Sequence, residues 1–239
     1  MPAAPPREMV RAMSKRMCLA LLGALLAAGC SHGIGADGAG ADRAALADVC
    51  ADAPGRVPPA RSTPARPDKR PRLSDTSAHI SYLQPGDPWL PWRRAISPGH
   101  LGALFDTGYY LVTQAATPTG EYYASVLSGR VYPGQQTHPD LRCVAEQVAD
   151  DLHSAAYPGP NQRTDTASRA MTIGGRPAYL TRFRIDYRIR GYAANSEVVT
   201  VLVIDTGRTD LALLYASIPD TAREYEPLVD QVVASVQVS

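Results

Sequence analysis

The sequence predicts an α+β domain in which a bent antiparallel sheet of about six strands carries one inserted and one C-terminal helix. Runs rich in β-branched and aromatic residues are separated by short turns containing Gly or Asn, which favours an antiparallel meander. Two other segments space their apolar residues with the period of an amphipathic helix. A sheet covered by such helices is an α+β sandwich.

The predicted strands fall on either side of the inserted helix. Strand 198–204 is apolar on both faces, which indicates a central position in the sheet. Strand 178–189 alternates apolar with charged residues, which indicates cover on one face only. The six strands are predicted at residues 108–114, 122–128, 166–173, 178–189, 198–205 and 211–218.

The two helices are predicted over residues 139–155 and 220–236. Pro139 suits the first turn of the inserted helix. Thr221 and Glu224 have the spacing of a capping box at the start of the C-terminal helix, and Pro227 is expected to kink that helix near its start.

The N-terminus has the pattern of an export signal. Four basic residues lie within residues 7–16, and the uncharged apolar run 17–29 follows directly. That run is too short to span a membrane, which takes about 20 apolar residues. Formal net charge is +1, which does not indicate nucleic acid as a partner.

The segment Leu26-Ala-Ala-Gly-Cys30 resembles the lipobox of bacterial lipoproteins. The resemblance implies cleavage before Cys30, lipid (palmitate) on its thiol, and anchoring at the extracytoplasmic face of the cell membrane. The alternative is an ordinary secretory signal cleaved near Ala28, which leaves Cys30 as a free thiol.

Three segments follow from these patterns: a signal peptide at 1–29, a lipid-anchored stalk at 30–76 and a single α+β domain at 77–239. The stalk carries six prolines and an excess of arginine between residues 51 and 73. Such a composition cannot bury enough apolar surface to fold.

Two cysteines remain once Cys18 leaves with the signal and Cys30 is lipidated. Cys50 and Cys143 then share an oxidising compartment, which predicts a disulfide between them. The alternative is two unpaired structural thiols.

Four arginines on one face of strand 178–189 and just beyond it form the candidate binding surface. They could contact an anionic wall polymer or an envelope protein, or they could pair on a solvated face with cross-strand acids such as Glu197. The row consists of Arg182, Arg184, Arg188 and Arg190.

Aromatic residues give a second candidate surface, a groove for a sugar or peptide. Core packing is the favoured alternative because Trp and Tyr mostly bury their rings. The set consists of Trp89, Trp92, Tyr109, Tyr110, Tyr122 and Tyr123.

Asp106 and Asp205 each begin an Asp-Thr-Gly sequence, as do the two carboxylates that share a water in aspartic proteases. An envelope hydrolase using these loops is therefore the alternative function. However, Tyr109 and Arg208 follow the glycines where those proteases have a small residue, and Asp-Thr-Gly is also an ordinary turn. The histidines lack zinc-site spacing, so the sequence predicts neither catalytic residues nor a metal or cofactor.

The second half resembles a known family through Tyr157-Pro-Gly, Gly174-Gly-Arg-Pro-Ala178 and the helix Leu228–Val236. These residues are similar to the C-terminal domain of actinobacterial secreted proteins related to the alanine- and proline-rich fibronectin-attachment proteins. That domain is similar in turn to the PsbP-like α/β/α sandwich of exported lipoproteins. The resemblance covers about residues 139–239 and implies a binding or assembly role without catalytic residues, and the scarcity of lysine beside arginine agrees with an actinobacterial source.

Overall fold

The computed structural model describes Cys50 and residues 70–133, 139–157 and 159–239. The proposed signal peptide, Cys30 and most of the predicted stalk lie outside these residues. None of the described helices is long and apolar enough to cross a bilayer. The elements, in chain order, are β1 (Arg72–Asp75), β2 (Ile80–Leu83), β3 (Leu90–Trp92), β4 (Leu104–Thr117), β5 (Gly120–Val131), α1 (Leu141–Ala156), β6 (Asn161–Ile173), β7 (Arg176–Tyr187), β8 (Ser196–Ile204), β9 (Leu211–Pro219), a 3-10 helix (Asp220–Tyr225), α2 (Glu226–Ser235) and β10 (Gln237–Val238).

The described strands form two antiparallel sheets, which confirms the α+β class. The main sheet has seven strands in the order β3-β4-β5-β9-β8-β7-β6, and the small sheet has the order β1-β2-β10. β8 lies between β7 and β9, as its apolar residues on both faces predicted.

The main sheet lies between two helical layers. On one face, Val144, Val148 and Leu152 of α1 pack in one cluster with Phe183 and Val201 of the sheet. On the other face, α2 and the small sheet pack on the side chains that point the opposite way, among them Leu180, Leu202 and Leu214. The order of layers is therefore helix, sheet, helix, with one apolar core on each side of the sheet.

The inserted helix begins at Leu141 because Asp140 caps it. The Asp140 carboxylate accepts hydrogen bonds from the backbone N–H groups of Arg142 (2.8 Å) and Cys143 (3.3 Å). These bonds satisfy two amides that have no partner within the helix. Cys143 in this first turn is joined by a disulfide to Cys50, with the two Cα atoms 5.6 Å apart.

The single C-terminal helix predicted over residues 220–236 is two elements. Residues Asp220–Tyr225 form a 3-10 helix with a kink at Ala222, and α2 begins at Glu226. The predicted capping box is wrong, since no side chain caps the start of the 3-10 helix. Pro227 lies in the first turn of α2, where proline's missing N–H costs nothing, and so causes no kink within α2.

The strand predicted over residues 178–189 ends earlier, at Tyr187. The loop that follows docks instead on the β4–β5 hairpin: the Gln114 side-chain amide donates to the Gly191 carbonyl (2.9 Å), and its oxygen accepts from the Ala193 amide (2.8 Å). The burial of the arginine-bearing face of β7 also differs from the prediction. Leu180, on the arginine-bearing face, is buried against the α2 layer, so only the second half of that face is open to solvent.

Candidate functional site: an aromatic cavity around a buried glutamate

A cavity of about 220 Å³ lies between the C-terminal end of α1 and the main sheet. Leu152 and Ala156 of α1 form part of its wall, and Ser125 and Ser217 contribute small side chains from the sheet. Most of the remaining wall is aromatic. The six rings that line it belong to Trp92, Phe105, Tyr122, Tyr123, Tyr157 and Tyr215.

Strand register brings these side chains to one face. Ser125 of β5 pairs with Ser217 of β9, and Ser217 pairs with Val199 of β8. Because side chains alternate along a strand, every second residue from this row points toward α1. Tyr215 and Glu197 are therefore on the same face as the two serines.

Glu197 is the buried carboxyl of the cavity, with 4% of its surface exposed. The Tyr122 hydroxyl donates to Glu197 Oε2 at 2.6 Å, and the Tyr187 hydroxyl lies 3.5 Å from the same atom. Burial raises the pKa of Glu197 to about 7, against the opposing effect of the tyrosine hydrogen bonds. The carboxyl therefore changes its protonation state near neutral pH.

The tyrosine hydroxyls around Glu197 form a connected network. Tyr122 and Tyr187 are 2.5 Å apart at their hydroxyl oxygens, and the Tyr157 hydroxyl lies 3.1 Å from Ser217 Oγ and 3.4 Å from the Tyr215 hydroxyl. Burial is the main cause that raises the pKa of each of these tyrosines, and the negative charge of Glu197 is the second cause. All four therefore remain neutral hydroxyls at physiological pH and can only exchange hydrogen bonds.

Trp92 contributes an indole ring to the aromatic wall. Its ring packs on Tyr110 and Tyr123 with centroids 5.9 and 5.8 Å apart, and the Arg94 guanidinium lies 5.0 Å from the Trp92 centroid. The indole N–H of Trp92 is buried and has no hydrogen-bond partner in the described chain. An unpaired buried donor is unusual in a native protein and marks a place where a polar atom could be accommodated.

No protein-family model matches the chain, and no curated protein matches it. Among solved structures, the chain is similar to the cyanobacterial PsbP protein (CyanoP) of Synechocystis sp. PCC 6803, with 18% identity and a TM-score of 0.47 over 75% of this chain and 98% of that one. LpqN, involved in cell envelope biogenesis of Mycobacterium tuberculosis, has 18% identity and a TM-score of 0.40 over 72% and 86% of the two chains. A Pseudomonas aeruginosa protein of unknown function has 17% identity and a TM-score of 0.34 over 61% and 94%.

All three TM-scores are below 0.5 and all three identities are below 20%, so the α+β assignment rests on the strand order and packing of this chain. The relation to actinobacterial fibronectin-attachment proteins stays a prediction.

The four arginines of the row have two different kinds of surroundings. Arg182 donates to Thr200 Oγ1 (2.9 Å) and pairs with Asp230 of α2, and Arg184 bonds Asp186 (2.9 Å) and Ser196 (2.7 Å). The other two arginines, at positions 188 and 190, follow the end of β7 and are exposed. Whether the row binds a partner stays a prediction.

The expected pairing of these arginines with Glu197 is wrong. Glu197 lies opposite Ile185 in the β7–β8 register and so shares the face that packs toward α1. Arg182 and Arg184 alternate out of phase with Ile185 and point to the other face.

Asp106 and Asp205 are not brought together. Asp106 lies on β4 and Asp205 follows β8, with β5 and β9 between, a separation of about 14 Å at ~4.8 Å per strand. Asp106 pairs with Arg130 (3.4 Å) and Asp205 with Arg176 (3.3 Å). Each carboxylate has its own arginine, so the two do not share a water as in an aspartic protease.

Core packing holds for the two tryptophans of the aromatic set, and the groove for a sugar or peptide stays a prediction. Trp89 and Trp92 are 5% and 6% exposed, as core packing predicted, yet Trp92 also lines the cavity with Tyr122 and Tyr123. Glu197 is the cavity residue whose face of the sheet was predicted wrongly from the sequence. Its burial could have been predicted, because Glu197 alternates in phase with the apolar positions of β8 that face α1.

Proposed function

We propose that this chain is a non-catalytic binding protein of the cell envelope whose ligand site is the aromatic cavity around Glu197. The observation that carries the proposal is the combination, in one cavity of about 220 Å³, of six aromatic rings with a single buried carboxyl. An apolar, concave site with a few convergent polar groups and a perturbed pKa is the arrangement expected of a small-molecule site.

A binding role is supported over a catalytic one by the groups that contact Glu197. General acid–base catalysis on a substrate commonly pairs a group that gives a proton near neutral pH with a second that takes one. The hydroxyls around Glu197 belong to tyrosines whose pKa values are raised, so they do not serve as a second group. The described residues also contain no cluster of His, Cys, Asp and Glu that could hold a metal ion.

The test of the cavity is occlusion by a larger side chain. Ser125 is buried and lines the cavity, so Ser125→Leu should fill part of it and abolish binding of small aromatic probes such as benzyl alcohol and benzylamine. Ser154→Leu makes the same change at an exposed position of α1 outside the wall and should leave binding intact. Binding is followed by amide chemical shifts, with circular dichroism to confirm folding. Absence of binding to the wild-type cavity contradicts the proposal.

We also propose that Cys30 carries lipid and holds the protein on the extracytoplasmic face of the cell membrane. The support is the apolar run 17–29 behind a basic segment, followed by the lipobox-like Leu26–Cys30. In an actinobacterial host, the wild type should incorporate labelled palmitate and partition into detergent, whereas Cys30→Ser should do neither. Cys18→Ser, inside the proposed signal, is the matched control. An unlabelled wild type would show that the signal is an ordinary secretory one.

A further inference from the structure

Glu197 is a buried carboxyl to which tyrosine hydroxyls donate hydrogen bonds. No Lys, Arg or His in the described part of the chain forms an ion pair with it. Removing an ionised carboxylate from water costs several kcal/mol unless a positive charge compensates it. The tyrosine hydroxyls stabilise the ionised form of Glu197 in part, and a cation from outside the described chain would supply the missing positive charge.

The charge of the cavity wall has one sign. Among the described residues, the charged side chains that line it are Glu197, which is buried, and Glu121, which is exposed. The nearby Arg94 is exposed and lies against the ring of Trp92 instead of in the wall. The two carboxylates of the wall repel an anion and attract a cation, and Arg94 beside Trp92 and Tyr123 opposes this effect in part.

The ring faces favour the same ligand class. Aromatic faces carry partial negative charge and attract ammonium groups by about 0.5 to 2 kcal/mol each, most strongly where water is excluded. The Arg94 guanidinium already lies over the Trp92 ring at 5.0 Å, so a ligand cation would rely on the tyrosine rings of the wall. Tyr122, Tyr123 and Tyr157 add further rings to the wall.

Cavity volume limits the size of the ligand. About 220 Å³ corresponds to about seven water volumes at ~30 Å³ each. A molecule of roughly seven to ten non-hydrogen atoms fits such a space by that measure. Benzylamine, in its protonated form, is a probe of this size.

We propose that the cavity binds a small organic cation, a protonated amine or quaternary ammonium group on an apolar body, with Glu197 as its counter-ion. The inference rests on the proposed binding function of the same cavity. Tyr122 and Tyr187 hold the carboxyl in place through their hydroxyls, and the apolar body lies against Phe105 and Leu127. Among the described residues of the wall, Glu197 is the buried one that carries a negative charge.

The experiment compares probes of the same shape and different charge. Isothermal titration of the wild type at pH 8 uses benzylamine, its neutral isostere benzyl alcohol, and benzoate. We expect benzylamine to bind about tenfold or more tightly than benzyl alcohol, in keeping with a charged hydrogen bond worth ~1.5 to 3 kcal/mol. Benzoate should bind more weakly than either.

Two substitutions locate the effect. Glu197→Gln keeps the shape of the side chain and should remove about tenfold or more of the benzylamine affinity while leaving benzyl alcohol within about threefold. Glu224→Gln makes the same change at an exposed acid outside the wall and should change benzylamine affinity by no more than about twofold, since exposed charges are screened.

The outcomes separate the two proposals. Equal affinity of the wild type for benzylamine and benzyl alcohol overturns the cation inference and leaves the binding function standing. Absence of binding by all three probes overturns the binding function itself. Should Glu197→Gln fail to fold, as judged by circular dichroism, the ratio of the two affinities in the wild type decides alone.

Discussion

At the level of single residues, the position of Glu197 has consequences beyond ligand binding. A carboxyl with 4% exposure and a pKa of about 7 holds its proton in the folded state under conditions in which the unfolded chain has lost it. Protonation and folding are therefore linked at this residue.

The linkage gives a pH dependence with a definite sign. Between pH 4.5, the usual pKa of a glutamate, and pH 7, the folded state binds more protons at Glu197 than the unfolded state. The contribution of Glu197 to stability therefore falls across this window, by roughly 3 kcal/mol in all, and is level above it. The tyrosines at 122, 157 and 187 do not titrate there because their pKa values are raised, and Asp220 adds a repulsion that favours the protonated form.

Urea unfolding of the wild type and of Glu197→Gln between pH 5 and 8 measures how the contribution of Glu197 to the free energy of unfolding depends on pH. The difference in unfolding free energy between the two proteins should shift in favour of the variant as pH rises. Parallel curves over the whole range would show that the Glu197 pKa is the same in the folded and unfolded states.

Some of the residues that line the cavity were singled out from the sequence, and others were not. Trp92, Tyr122 and Tyr123 belong to the aromatic set that the sequence singled out. Tyr157 follows α1 and Tyr215 lies on β9, so their convergence depends on how α1 packs on the main sheet. Glu197 was assigned to the wrong face because the nearby arginines offered an obvious ion pair, whereas the register of β7 on β8 decides which way it points.

At the level of elements, the cap of α1 offers a direct test. Asp140→Ala removes the acceptor for the amides of Arg142 and Cys143 and should lower the free energy of unfolding by about 1 kcal/mol. Asp140→Ser keeps a capping oxygen and should lie close to the wild type. Denaturant unfolding at neutral pH gives both values. An Asp140→Ala protein as stable as Asp140→Ser would mean that the cap contributes nothing measurable.

The arginine row is tested by dividing it as the structure divides it. Arg182 and Arg184 have partners within the chain, whereas Arg188 and Arg190 lie in the exposed loop after β7. If the row binds an anionic surface, the serine pair at 188 and 190 should lose more retention than the serine pair at 182 and 184, since each arginine near a membrane contributes about 1 kcal/mol.

Retention on vesicles containing anionic lipid is measured in a Cys30→Ser background, so that a lipid on Cys30 does not mask the effect. Vesicles of neutral lipid are the control. If the Cys30→Ser parent is retained weakly and both double variants are retained equally, the arginine row does not bind the anionic surface.

Long elements were predicted and short ones were not. β4 to β9 each contain at least nine residues, enough to show alternation, and all six were found from the sequence. The four remaining described strands have two to four residues. β10 forms only because β2, more than 150 residues earlier, offers it an edge, and such a pairing leaves no local pattern.

At the level of the whole molecule, the disulfide closes a large loop. Cys50 and Cys143 are 93 residues apart in sequence, so the cross-link restricts the unfolded chain and should stabilise the fold by about 4 to 5 kcal/mol in the chain-entropy model. Cys143→Ser and the double variant with Cys50→Ser should lose this amount equally in urea unfolding. Wild type treated with reductant should match them. A double variant as stable as the oxidised wild type would show that the loop constraint is offset elsewhere.

The same cross-link determines how the domain responds to mechanical force. A pull on the chain before Cys50 passes through the sulfur–sulfur bond into the first turn of α1, because the covalent path bypasses residues 51–142. β1 to β5 lie within the bypassed segment and carry no tension until that bond is reduced. An extracytoplasmic protein held by its N-terminal end would thus transmit load into the helix that covers the cavity, and not into the strands that form most of its aromatic wall.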